Sequence, residues 1–145
     1  MSAQAGEDPT LPVVEFAFPG PLRDQLVEAV REGHKVSTTA LALEYEIERE
    51  PLPETGQRFA VVDSFERPVA VIEVTSVVVV RLGDVDLSHA LDEGEGFTTL
   101  AQWRAAHEAF WHGDEVRQGL GDPDFEVDDE TPVVLERFKL VQRRP

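Results

Sequence analysis

A lysine set among hydroxyls is the feature of this sequence with the clearest chemistry. The run His34-Lys35-Val36-Ser37-Thr38-Thr39 places one of the chain's two lysines beside three hydroxyl side chains. A threonine or serine hydroxyl is a poor nucleophile until a base takes its proton. A lysine can be that base if burial or a cationic neighbour lowers its pKa. Glu73 is the second residue of interest, because it interrupts an otherwise β-branched, apolar run from Val69 to Leu82. A carboxyl desolvated in such a strand has a raised pKa and keeps a proton available. Which of Ser37, Thr38 and Thr39 points inward is left open by the sequence. Lys35 and Glu73 could equally form a buried ion pair with no reaction attached.

Other side chains qualify as ligand contacts. The ring of Tyr45 can line a cleft and stack a base. Arg104 is the best phosphate or carboxylate contact on its helix, yet it can also pair with Glu93 or Glu95. Trp103, His107, Phe110 and Trp111 recur at helical spacing and read as core, His107 as a satisfied core histidine. His107 and His112 are five apart and share no helical face, which argues against a two-histidine metal site. The acidic stretch from Asp122 to Glu130 lacks the glycine turn and terminal glutamate of a calcium loop, and reads as a solvated surface loop.

The elements that must position these residues follow from pattern. Val13 to Phe18 reads as a first strand or packed lead-in. Gly20-Pro21 opens a helix whose Leu22, Leu26, Val27 and Val30 share one face, with Arg23, Glu28 and Arg31 expected in water. Gly33 supplies its left-handed cap. A second helix runs from Leu41 to about Arg49 and stops before Pro51 and Pro53. A strand is expected around Phe59 to Asp63 and a hairpin turn over Ser64 to Pro68. The long strand Val69 to Leu82 follows, buried on both sides or curved into a barrel. Asp86 to Asp92 suits a short helix, Glu93-Gly94-Glu95-Gly96 a flexible acidic loop, and Thr98 or Thr99 the cap of a longer helix. Gly113 to Glu130 reads as loop, and Val133 to Val141 as the closing strand. Short strands mixed with helices in no βαβ rhythm imply an α+β fold.

Composition sets the outer limits. The chain has 145 residues, the size of one domain, with residues 1–10 expected to be a flexible N-terminal segment and 11–145 the single domain. It has no cysteine, which excludes disulfides and thiolate zinc sites. No stretch approaches the roughly 20 apolar residues that span a bilayer. Met1 to Thr10 lacks the basic start and apolar core of a signal peptide, so the expected address is the cytoplasm, with no membrane partner. Acidic residues outnumber basic ones 29 to 13, for a formal charge of −16. Such a chain repels a long polyanion unless its few cations gather on one face, which favours a small ligand over long RNA.

Several of these stretches carry a resemblance. Gly33-x-Lys35-x-x-Thr38 resembles the Gly-x-Lys-x-x-Thr/Ser signature of the ASCH family. Glu44-Tyr45-Glu46 before Pro51-Leu52-Pro53, and Glu93-Gly94-Glu95-Gly96, are similar to the longer bacterial members. So are Trp103-Arg104-x-x-His107-x-x-Phe110 and Val133-Val134-Leu135-Glu136-Arg137-Phe138. The resemblance runs from about Arg31 to Val141. It implies a PUA-like fold, a small mixed β-barrel with helices at the rim and a cleft beside Lys35.

For function the resemblance implies RNA, a nucleotide or a nucleoside as partner, and three alternatives stand. In family members that remove the acetyl group from N-acetylated cytidine, a lysine, a threonine three residues on and a later strand glutamate form the site. Those positions match Lys35, Thr38 and Glu73 as catalytic residues, which as base, nucleophile and acid make a consistent acyl-transfer set. A non-catalytic RNA- or nucleotide-binding module would use Lys35, Tyr45 and Arg104, with Ser37 and Thr39 as further ligand contacts. A ribonuclease is the third, and only there would a divalent metal enter; otherwise no cofactor is expected. The amidohydrolases are typically shorter, and lack the acidic Gly-rich loop and the Trp-Arg-His helix. Monomer and dimer are both left open.

Overall fold

In a computed structural model that describes residues 11–144, five strands and five α-helices build one mixed sheet with helices packed on it. The strands are β1 (Val13–Val14), β2 (Ser37–Leu41), β3 (Arg58–Val62), β4 (Pro68–Arg81) and β5 (Pro132–Arg143). The helices are α1 (Pro21–Arg31), α2 (Ala42–Glu48), α3 (Leu87–Asp92), α4 (Leu100–Trp111) and α5 (Asp114–Leu120). The expected flexible segment, residues 1–10, lies outside the described residues.

Sheet order is β1-β3-β4-β5-β2, with β1 parallel to β3 and every other pair antiparallel. The fold is therefore the expected α+β. Among the described residues no ladder joins edge strands β1 and β2, so backbone hydrogen bonds do not close the sheet into the expected barrel. The curvature is present without the closure. β4 and β5 pair along almost their whole lengths, with irregularities between Val71 and Ile72 and between Val74 and Ser76. Such bulges bend and twist a ladder.

That bend lets one long two-stranded ladder serve two cores. The first gathers Phe16, Leu26, Val27 and Val30 against Val61, Ile72 and Phe138. The second gathers Leu41, Leu82, Trp103, Trp111, Val116 and Val133. Val69 to Val74 are buried apart from half-buried Glu73, whereas Val78 and Val79 are about half exposed, at 48% and 50%. The expectation of burial on both sides thus holds for only the first half of β4, because among the described residues no layer covers the far side of the second half.

Local chemistry places the rest. Gly33 has φ of 80°, and the amides of Gly33 and His34 return to the carbonyls of Val30 and Ala29, closing α1 as expected. Asp86 caps α3 and Thr99 caps α4 through their side-chain oxygens. Two helical expectations are corrected. Arg23 does not face water: it is 1% exposed and ties Glu15 and Glu66 to the carbonyls of Ala17 and Asp63. Leu22, expected inside, is exposed instead. The stretch 113–130 also holds α5, whose Val116 reaches the second core.

Candidate functional site: a carboxylate-lined cleft around Lys35

A cleft of about 1220 Å³ opens between the two cores, bordered by Phe16 and Leu26 on one side and Trp111 and Val116 on the other. Lys35 lies at its base, 2% exposed, where the chain leaves α1 and enters β2. Its Nζ donates to the Ser37 carbonyl at 2.9 Å and lies 5.5 Å from the centre of the Phe16 ring. It stands 3.7 Å from Glu93 Oε1 and 3.8 Å from Glu95 Oε2. Every polar neighbour of Nζ here is an acceptor, the surroundings of an ammonium donor.

The loop expected to be flexible supplies the main anchor. Glu93 is 1% exposed, and its carboxylate is saturated. Oε2 accepts from Thr39 Oγ1 at 2.7 Å and from Trp103 Nε1 at 2.9 Å, while Oε1 lies 3.2 Å from His107 Nε2. His107 Nδ1 is 2.9 Å from the Trp103 carbonyl, so both ring nitrogens face acceptors and the imidazolium satisfies both. Its ring stacks on Trp103 with centroids 4.3 Å apart. Burial alone would push the Glu93 carboxyl up. Hydrogen bonds from His107 and His89 and the charge of Lys35 outweigh burial and hold it well below the usual range. Burial opposes the charge on His107, yet its hydrogen bond to Glu93 raises it above its ordinary value. Gly94 makes this approach feasible. It has φ of 71°, and a Cβ there would stand 2.5 Å from the His34 carbonyl oxygen.

Two carboxyls in the cleft behave differently. Burial pushes Glu95 up to about 7 against the opposing charge of Lys35, with Glu93 raising it further. Burial likewise pushes Glu136 up to about 7, opposed by Lys35. Glu136 is 7% exposed and makes no hydrogen bond or ion pair with another described residue. It sits on β5 directly opposite Thr38 of β2, and both line the cleft. Tyr45 lines it too; burial and the charge of Glu136 push its phenol up to about 12, so it remains an O–H donor at neutral pH.

The sequence-predicted residues therefore divide. Lys35, Thr38, Thr39 and Tyr45 meet in the cleft. Glu73 does not join them. Its neighbours Ile72 and Val74 take the buried positions, and the strand's two-residue alternation turns Glu73 to the other face. There it pairs with Arg58 at 3.0 Å and Lys139 at 3.7 Å. The hydrogen bond from Arg58 lowers its carboxyl, outweighing the desolvation that raises it, and the charge of Lys139 lowers it further, the reverse of the expected rise. Ser37 also turns away, donating to the His89 carbonyl at 2.9 Å. Arg104 points out of the cleft to Glu108 and Asp129, at 2.7 and 2.9 Å, and pairs with neither Glu93 nor Glu95. Sequence reasoning missed Glu136 and Glu93. The signal for Glu136 was an acid inside the closing strand between Leu135 and Arg137, a weaker signal than Glu73 between Ile72 and Val74.

Glu93, Glu95 and His107 bring three metal-ligating atoms within 4.8 Å of one another. A divalent ion does not fit the set as it stands. Lys35 Nζ already stands beside both carboxylates, and Glu93 Oε1 and His107 Nε2 are engaged with each other. The cluster holds its own cation.

The signature residues now stand in a cleft of a PUA-like architecture, and the ASCH domain model matches residues 15–142. The chain belongs to the ASCH domain family. It is similar to the ASCH domain from Lactobacillus crispatus JV V101, with 27% identity and a TM-score of 0.80 over 99% of this chain and 87% of that one. It is also similar to a protein from Enterococcus faecalis V583, with 26% identity and a TM-score of 0.77 over 91% of this chain and 77% of that one. No curated protein matches the sequence significantly. Among the described residues of this ASCH domain, no helix is long and apolar enough to cross a membrane.

Proposed function

We propose that this ASCH domain hydrolyses an amide on a nucleoside, with N-acylated cytidine as the substrate class and Thr38, Glu136 and Lys35 as the working residues. The observation that carries this reading is the pairing of Thr38 with Glu136 across the β2–β5 ladder. Directly opposed side chains have Cβ atoms roughly 5 Å apart, close enough for a carboxylate to reach a hydroxyl. A carboxyl titrating near 7 is matched to proton transfer in both directions at neutral pH.

The steps balance within the cleft. Thr38 Oγ1 attacks the acyl carbon as its proton passes to the Glu136 carboxylate. The oxyanion meets the Lys35 ammonium and the Tyr45 phenol, charge stabilisation of the kind an oxyanion hole supplies. Glu136 returns the proton to the departing amine as the C–N bond breaks, leaving an ester on Thr38. Water then attacks that ester, giving a proton to Glu136, which passes it to Thr38 Oγ1 as the free acid leaves. Lys35 works here as a fixed cation in place of the base role expected from sequence, because its neighbours are acceptors.

Hydrolysis of N-acetylated cytidine, followed by chromatography with and without chelator, tests this. Turnover that persists with chelator and is lost in Thr38→Ala and Glu136→Gln is the expected result. Binding of cytidine without turnover would leave a ligand-binding module and sink the hydrolase.

A further inference from the structure

The charge on the cleft wall is lopsided in a way that amide hydrolysis does not require. Glu44, Glu48, Glu50, Glu54, Glu95 and Glu136 all border it. Against them, Arg23 and Lys35 are the arginine and lysine side chains of its lining among the described residues; both are paired with acids, and the one unpartnered Arg23 nitrogen, Nε, is itself buried. Arg23 spends Nη1 on the Asp63 carbonyl and Glu66 and Nη2 on Glu15 and the Ala17 carbonyl, at 2.8–3.3 Å. Lys35 is held by the Ser37 carbonyl, Glu93 and Glu95. Arg104, the expected anion contact, is outside and paired. A phosphate or carboxylate entering this cleft meets carboxylates, and the lining cations among the described residues, Arg23, Lys35 and His107, are each already paired with an acid.

The opposite charge finds a place prepared. Glu136 is a carboxyl, nine-tenths buried and aimed into the cleft, with no partner among the described residues. Such a group costs stability unless something pairs with it. Glu44 lines the same wall from α2, and the adjacent Tyr45 offers an aromatic face for a cation. We infer that the natural ligand of this cleft carries an organic ammonium, seated against Glu136 and Glu44, and that anionic ligands are excluded. On the proposed hydrolase reading, that charge lies on the acyl portion of the substrate beside the scissile amide. A bound ammonium would also hold Glu136 ionised, the form in which it takes the Thr38 proton.

Three cytidines acylated on the exocyclic amine separate the possibilities: glycyl, which is cationic; acetyl, which is neutral; and succinyl, which is anionic. The expected order of kcat/KM is glycyl over acetyl over succinyl, about tenfold or more at each step and compressed by added salt. Glu44→Gln is expected to narrow the glycyl-to-acetyl ratio several-fold. Calorimetric binding of the same three compounds to the wild type and to Glu136→Gln gives the second readout, with the order kept in the wild type and flattened in the variant. If none is turned over, the hydrolase reading fails, yet this binding order still decides the charge preference. Equal affinity for all three, or preference for succinyl, overturns the inference whatever the turnover.

Discussion

Thr38 and Glu136 stand opposite each other on the β2–β5 ladder, and both side chains border the cleft that holds Lys35. Glu73 occupies the far face of the sheet in an ion pair with Arg58. The two glutamates therefore make opposite predictions. Glu136→Gln should lower kcat for an N-acylated cytidine by roughly 10²–10⁴, the usual worth of a positioned acid–base group. Glu73→Gln should leave kcat close to wild type and change stability little, because its partners Arg58 and Lys139 are more than half exposed. Loss of turnover in Glu73→Gln with retention in Glu136→Gln would reverse the assignment.

Acid–base control of the rate follows from Glu136. It must be ionised to take the Thr38 proton, and its carboxyl is pushed by burial up to about 7. The rate should therefore climb with pH and level off above about 7. In Glu136→Gln any residual rate should lack that inflection. A wild-type profile flat from pH 5 to 9 would remove Glu136 from the proton transfer.

Conformational stability should show a different pH dependence. Glu93 titrates lower in the fold than its ordinary 4.5, so its contribution is full above 4.5 and is lost as pH falls through the folded value. His107 is raised above 6.5, so its contribution is full below 6.5 and is lost as pH rises through its folded value. Glu95 and Glu136 are raised to about 7, so each favours the fold fully below 4.5 and loses that advantage as pH rises through about 7. Urea denaturation across pH should place the maximum near 4.5, with stability falling from there toward about 7 as Glu95 and Glu136 stay protonated only in the fold. A maximum at pH 8 or above would contradict the charge network described here.

Lys35 takes the place a metal would need. Removing its side chain should free Glu93, Glu95 and His107 to act as three ligands. Lys35→Ala is expected to bind cobalt(II) with a visible absorption band, which the wild type should lack. Wild-type binding of cobalt at these residues, abolished by His107→Ala, would show that the lysine does not block the site.

The elements were legible where the sequence pattern is local. The cap at Gly33, the Thr99 N-cap and the β3–β4 hairpin each depend on neighbours in the chain, and the structure has them. The site was legible only in half. Lys35 and Thr38 are fixed by a short segment, but their acidic partner depends on which strand pairs with β2. Glu73 and Glu136 are both acids within strands, and the register Thr38↔Glu136 is what places Glu136 in the site. The acidic loop was misjudged for a related reason. Its glycines suggest freedom, yet Glu93 is held by Trp103, Thr39 and His107, contacts of 10, 54 and 14 residues' separation.

Gly94 tests that loop most directly. Its left-handed backbone and its packing against His34 and Lys35 leave no room for a side chain, since a Cβ would lie 2.5–2.8 Å from backbone atoms of both. Gly94→Ala must therefore pay for an unfavourable φ, about 1–2 kcal/mol, and also push the loop off the lysine segment. Glu93 and Glu95 flank it, so the shift separates both carboxylates from Lys35 and loosens the hold on His107. Gly96 is a matched control: its φ is 88°, but among the described residues nothing lies within 4 Å of where its Cβ would stand. Gly96→Ala should incur the backbone cost alone. Thermal denaturation and turnover measured side by side should show Gly94→Ala the less stable and at least tenfold the less active. Equal effects at the two glycines would mean that the loop is not anchored by its contact with Lys35.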